Sequence, residues 1–456
     1  MTATTTPTPT PTPDAELLRL GYTPSLNRNL GMAHLLVYGL LFFVPLAPVA
    51  VYGIVVNRSG GAPVLVYLVA AVIMGLSAVS YRQMALRFPV AGSVYGYTRL
   101  STNRFWGFVA GWSILLDYIL MPALLTILSA VALAHILPGV PAGVFAAIFV
   151  GASVLMNLRG LEITTRVGMV LLAIQLVVIA LFLRFVTAAL TAGRLELSLN
   201  ALWRPDLSWA AVLSAVTIAA LSFLGFDAVS TLNEEARGGG RAVGRATTIL
   251  LGLITTLFCL QVWAANLVTD ATAFGPGAGT NRAFYHAVEA VAPGWFVTAF
   301  TLVNAFVAIF ACLVVAHAAS SRLLFAMARD GVLPTPLART NARGVPHIAT
   351  LTIGAVALVV SVTFAEQAEL MTSLVTFGAL SSYVLLHGAV LVRCLRTERS
   401  RRWATHLVVP VLGIVTLVVA LARSSQITLT VGLGWLAVGI LGHLAWSRLR
   451  PADRPS

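Results

Sequence analysis

The sequence predicts an all-α integral membrane protein of twelve transmembrane helices, and three observations predict it. Of 456 residues, 58% are apolar and 10% charged, against roughly 25% charged in soluble domains. Apolar runs of about 20 residues, each enough to cross roughly 30 Å of hydrocarbon, recur along the whole length. The basic residues between them alternate in density from one connection to the next.

The runs lie near 33–56, 63–81, 106–132, 142–158, 168–190, 209–233, 246–268, 295–321, 348–365, 370–392, 406–422 and 428–446, and are numbered here as spans 1 to 12. Threading the chain through them puts 23 arginines on one side and six on the other: Arg58, Arg184, Arg194, Arg204, Arg282 and Arg423. That is the positive-inside bias, and it predicts a multi-pass protein of the cell membrane with both termini cytoplasmic. The net charge of +13 is spread over many connections and forms no contiguous basic face, so nucleic acid is not an expected partner. The expected domains are a disordered Thr/Pro-rich tail over 1–28, one transmembrane domain over 29–448 and a short tail over 449–456. The opening MTATTTPTPTPTP has no apolar core and so is neither a signal peptide nor a span.

All 29 basic residues are arginine. Without lysine there is no Walker A loop and no Schiff base. Cys259, Cys312 and Cys394 lie in or at the ends of apolar runs and read as small packing residues. The sequence holds no HExxH and no GxSxG, so enzyme chemistry, metal and cofactor are not expected.

Two spans are interrupted. Span 1 carries Pro45 and Pro48 at its centre, in PLAPVA; proline removes a backbone donor and clashes with the preceding turn, which predicts a break between Val44 and Val49. Span 6 carries Gly225 and Asp227 in LSFLGFDAVSTLNEEA. Irregular backbone at membrane depth is tolerated where it lines a cavity or is buried in protein. The two breaks lie five spans apart, so their helices cross in opposite directions. Interrupted helices in equivalent places of inverted halves point to a transporter's midplane site, with spans 1–5 and 6–10 as repeats and spans 11 and 12 added. Residues 82–104, rich in arginine and aromatics, read as an interfacial segment between spans 2 and 3.

Of sixteen acids, Asp117 and Asp227 sit deep in apolar spans. An aspartate at a helix centre costs on the order of 3 kcal/mol and normally faces a cavity or a partner. With no intramembrane arginine evident beside either, a cationic substrate or a proton supplies the missing charge. Trp112, Tyr118, Phe223 and Phe226 are near in sequence, and aromatic faces hold ammonium groups. Asp227 is expected to exchange a proton as the pocket opens and so to couple transport. Glu234 and Glu235 are expected to be ordinary end-of-helix charges, with pairing to Arg237 or Arg241, or an inner gate, as the other readings. His317, Ser320 and Ser321 of span 8 are expected to be buried and hydrogen-bonded.

The stretches RFPVAGSVYGYT, GWSILLDYILMP, NLRG (157–160), LSFLGFDAVSTLNEE, HAASSRLLFAMARDGVLP and TFGAL (376–380) resemble the amino acid–polyamine–organocation superfamily, and within it the putrescine importer group. The resemblance implies a secondary transporter whose substrate lies between broken helices 1 and 6, flanked by helices 3 and 8. It implies substrate contacts from Asp227 and the backbone of Ser222, Phe223, Gly225 and Phe226. It further implies contacts from Tyr118, Trp112 and Asp117 on helix 3, and from Pro45, Ala47 and Pro48 at the helix-1 break. The cargo it implies is a small amine such as putrescine, moved with protons; an amino-acid permease is the alternative. The expected partners are the cargo, the proton and the bilayer, with no obligatory protein partner. A channel or receptor is a third reading, disfavoured by the paired breaks.

Overall fold

The computed structural model describes residues 13–136, 140–269 and 278–449. Eight of its helices are long and apolar enough to cross a membrane, and a ninth crossing is a pair, Met32–Phe43 and Ala47–Ser59, bent by 47°. Three shorter apolar helices, Ala142–Leu158, Trp209–Leu221 and His347–Thr363, supply spans 4, 6 and 9. Every apolar run of the sequence thus has its helix, and the chain is an all-helical membrane protein.

The two halves repeat in kind. Spans 1 and 6 are both broken. Spans 4 and 9 are the two short unbroken ones, 17 residues each. A short helix follows span 2 (Ser93–Ser101) and another follows span 7 (Ala278–Val291). This order is the one a five-span repeat produces. Spans 2 and 7 pack on one another, as do spans 3 and 10.

Two expectations about the arginine-rich end are corrected. Residues 13–28 of the supposed tail are built into the fold: Pro13–Arg19 is helical, and Leu17, Tyr22 and Leu26 are buried. The three are too widely spaced to register as an apolar run. Residues 1–12 and 450–456 lie outside the described residues. The segment 82–104 does not lie along an interface either. It ends span 2 and then turns inward as the helix Ser93–Ser101, with Val94, Tyr95 and Tyr97 buried. Tyr97 Oη accepts from Asn233 Nδ2 at 2.7 Å, and Ser230 Oγ donates to Ser93 Oγ at 2.8 Å, so this helix is a support for the end of span 6.

The N-terminal segment reaches the same place. Leu30 N donates to Glu235 O at 3.0 Å and Arg237 N to Leu30 O at 2.9 Å, a single parallel bridge tying the entry of span 1 to the exit of span 6. Close helix contact sets the frame around it: a Cβ added to Gly240, at the start of span 7, would lie 1.8 Å from Ala85 O of span 2. Backbone oxygen cannot yield as a side chain does, and overpacking of this kind costs about 1–3 kcal/mol. Gly240→Val is therefore expected to lower the apparent melting temperature in a fluorescence-monitored thermal scan, whereas Gly252→Ala, where a Cβ meets nothing within 4 Å, leaves it unchanged.

Candidate functional site

Span 6 starts regularly, with Ser208 as N-cap accepting from Ala211 N, and its α-helix stops at Leu221. Beyond it the chain tightens: Phe223 N bonds Ala220 O at 3.0 Å, Leu224 N bonds Leu221 O at 3.2 Å, and Ala228 N bonds Gly225 O at 3.1 Å. These i→i−3 bonds leave a tighter, narrower backbone than an α-helix. Gly225 sits at φ 126°, and a Cβ there would meet Phe42 Cδ1 at 2.4 Å. Glycine is needed on both counts. Ala228–Leu232 continues as a 3₁₀ helix.

Span 1 breaks beside it. Val44 has φ 55°, an outlier for a β-branched residue. Pro48 lies in the first turn of Ala47–Ser59, where its missing N–H costs nothing, so the break is narrower than expected and centres on Val44–Leu46. Span 7 answers the exposed backbone: Gln261 Nε2 donates to Pro45 O at 2.9 Å. From span 8, Cys312 Sγ donates to Phe42 O at 3.4 Å.

Asp227 is 1% exposed and is held by two phenols. Tyr118 Oη of span 3 donates to Oδ2 at 2.7 Å, and Tyr383 Oη of span 10 donates to Oδ1 at 2.8 Å. Bonds to both oxygens suit an ionised carboxylate. Tyr118 is itself positioned by an uncommon device. Pro122 lies inside the span-3 helix and lacks the N–H that would bond the carbonyl four residues back. That carbonyl is Tyr118 O, and Ser320 Oγ of span 8 donates to it, sharing the bond with Ala316 O. Phe226 packs against Tyr383 at 5.4 Å, Tyr81 at 5.5 Å and Phe43 at 6.5 Å between ring centroids, which walls the carboxylate with aromatic rings.

The structure brings together Asp227, Tyr118, Gly225, Phe226 and the Pro45–Pro48 break. The side chains of Trp112, Phe223 and Ser222 make their contacts elsewhere. Trp112 stacks on Trp435 at 4.5 Å and donates Nε1 to its carbonyl at 2.8 Å, so it fastens span 3 to span 12. Phe223 packs on Phe258 and Tyr67, and Ser222 Oγ lies 3.4 Å from Tyr67 Oη; both turn toward spans 2 and 7. Ala47 contributes its amide to Val44 O at 2.7 Å. Asp117 is 3% exposed, and its Oδ1 has no hydrogen-bond partner among the described residues. Tyr383 and Gln261 were not singled out from the sequence; a lone tyrosine or glutamine mid-span gives no local sign of facing a site.

Glu234 and Glu235 do not pair with Arg237 or Arg241. Glu235 is paired with Arg322, both buried, and Glu234 takes two bonds from Arg329, at 2.7 and 2.9 Å, plus one from Ala91 N at 2.9 Å. Arg99 pairs with Asp330, which also accepts from Tyr95 Oη at 2.7 Å. These groups link the end of span 6, span 8 and the helix Ser93–Ser101. Beside Glu235 a cavity of about 300 Å³ opens, lined by Asn27, Asn29, Arg159, Glu162 and Arg343 among others. His317 is buried as expected, bonded to Ser153 Oγ at 3.1 Å and Thr350 O at 2.8 Å.

The family profile described as amino acid permease matches residues 33–440. The chain is 28% identical over 439 residues to a low-affinity putrescine importer of Escherichia coli, covering 91% of this chain and 93% of the relative. It is 24% identical to a branched-chain amino acid permease of Bacillus subtilis, covering 93% and 94%. A methylthioribose transporter of the same species is 26% identical, covering 86% and 88%.

Removing one partner of a buried ion pair leaves an uncompensated charge and costs about 3–5 kcal/mol. Arg322→Ala is accordingly expected to lower the apparent melting temperature far more than Arg166→Ala, whose pairing with Glu162 is largely exposed. Combining Arg322→Ala with Glu235→Ala should recover part of the loss.

Proposed function

This chain belongs to the amino acid permease family, so it is a membrane transporter and not an enzyme; from that premise we propose that it imports a small organic cation, such as putrescine or another polyamine, across the cell membrane by secondary active transport with protons. One observation carries this reading: a dry carboxylate at the paired helix breaks, Asp227, whose side-chain partners among the described residues are two phenols and no cation. An ammonium group supplies the missing charge, and Phe226, Tyr81 and Tyr383 offer it ring faces. Gln261 adds an acceptor. Its amide nitrogen is fixed by Pro45 O and Leu257 O, and its Oε1 is buried with no hydrogen-bond partner among the described residues.

The alternative, an amino-acid permease, needs donors for a substrate carboxylate, and free amides at a helix break are the usual source. Here Pro45 and Pro48 have no N–H, and Ala47 N and Val49 N already bond Val44 O and Leu46 O, which leaves Leu46 N as the one amide of residues 45–49 with no bond among the described residues. This supports an amine without a carboxylate. The positive-inside bias supports cytoplasmic termini, which places the Glu234–Arg329 and Glu235–Arg322 pairs at the inner end, as a closed gate below the site.

Labelled putrescine uptake into proteoliposomes tests the reading. A hydrogen bond to a charged group contributes about 1.5–3 kcal/mol, so Asp227→Asn is expected to weaken apparent affinity about ten- to hundredfold. Tyr383→Phe, which keeps the ring and removes one donor, should act in the same direction and less strongly. Competition by branched-chain amino acids but not by diamines would replace the amine reading with the amino-acid one.

A further inference from the structure

The two buried acids are treated differently by the fold. Asp227 has a donor on each oxygen. Asp117 has a buried Oδ1 that no described group reaches. The seam around it is tight: a Cβ on Gly378 of span 10 would lie 2.7 Å from Asp117 N and 2.9 Å from Ser113 O. Span 10 therefore packs directly against the backbone of this turn of span 3. The ionisable groups that act on Asp117, or feel its charge, are Asp227 at the span-6 break, Tyr383 on span 10, Tyr81 on span 2, Cys312 on span 8 and Tyr118 beside it on span 3. None is a cation. An ionised carboxylate needs donors or a counter-charge when it is taken out of water, whereas the neutral acid does not.

We infer that Asp117 must hold a proton whenever the site closes around its cargo, so that Asp227 binds the cation and Asp117 is the group through which protons enter the transport cycle. The inference rests on the cation-transporter reading above and assigns coupling to a different acid from the one the sequence singled out. No covalent step is involved: water on the open side supplies the proton to an Asp117 oxygen, closure of span 10 over span 3 traps it, and opening on the far side releases it to water. In the closed arrangement Asp227 is held by its two phenols.

The test uses the full chain in proteoliposomes loaded with unlabelled putrescine, reading exchange with external labelled putrescine at equal pH on both sides. Across a pH series run from acid to alkaline, wild-type exchange is expected to fall at least tenfold toward the alkaline end. Asp117→Asn, a permanent mimic of the neutral acid, should exchange within about twofold of the acid-side wild-type rate at every pH and should lose accumulation driven by an acid-outside gradient. Asp117→Glu should restore the pH dependence. An Asp117→Asn protein that keeps the wild-type pH profile overturns the inference, as does one that folds normally and is inactive throughout. Should that variant fail to fold, the wild type decides: dicyclohexylcarbodiimide, which modifies protonated carboxyls in dry surroundings, is expected to give an adduct at Asp117 by peptide mass mapping, and modification of Asp227 with Asp117 untouched overturns the assignment. If the wild type exchanges no putrescine at any pH, the cation reading falls, while carbodiimide mapping still rules on Asp117 by itself.

Discussion

A carboxylate held in the middle of an apolar bundle is the constraint around which the rest of this structure is arranged. Inserting an aspartate at that depth costs on the order of 3 kcal/mol, and two hydrogen bonds to a charged group return about 1.5–3 kcal/mol each. The two magnitudes are close, so Asp227 needs both Tyr118 and Tyr383. Each phenol has requirements of its own. Tyr118 depends on the missing amide of Pro122 and the hydroxyl of Ser320 that replaces it. Asp227 reaches both only because Gly225 takes a backbone conformation closed to other residues and lies against Phe42. Spans 1, 3, 6, 8 and 10 are thereby committed by one charge.

The arginine-rich end solves a related problem in another way. There the buried acids are given full counter-charges: Arg322 for Glu235, Arg329 for Glu234 and Arg99 for Asp330. Buried pairs contribute little net stability but are costly to break from one side, which makes them suited to defining one arrangement of helices against another. The Leu30–Ala236 bridge adds backbone to the same junction, so the entry of span 1 and the exit of span 6 are tied together just below their breaks. The contrast is informative. Acids at the end have arginines, while the acids at the midplane have none among the groups described here, and a guest of positive charge fits that difference.

Most of the architecture was legible because it is written in local, repeated signals. Apolar length marks each span, proline and glycine mark the breaks, and an acid in an apolar run marks the candidate site. What escaped was long-range or rotational. The partners of Glu235 and Glu234 lie 87 and 95 residues away, and nothing in the sequence favours them over the nearer Arg237 and Arg241. Tyr383 is one aromatic among many in apolar spans. Trp112 is a different case, since helix geometry of 3.6 residues per turn sets it about 120° around span 3 from Tyr118. Spacing alone argued against both facing one site, and the structure seats Trp112 on Trp435. The helical segment 13–19 escaped because Leu17, Tyr22 and Leu26 dock singly onto surfaces made by distant parts of the chain.

The relatives named above carry cargo of unlike chemistry, so family membership constrains the route through the membrane and leaves recognition to particular atoms. At the span-1 break those atoms are mostly occupied. The two prolines remove two amides, internal bonds take two more, and Gln261 and Cys312 cover carbonyls. A break built in this way keeps its bend while offering few donors to an anion. Across from it, the span-6 break presents a carboxylate whose charge its phenols sustain without cancelling, since a phenol O–H shares a proton but carries no positive charge. The span-1 break thus carries few free donors and the span-6 break a carboxylate, and the amine reading proposed above draws on that pairing.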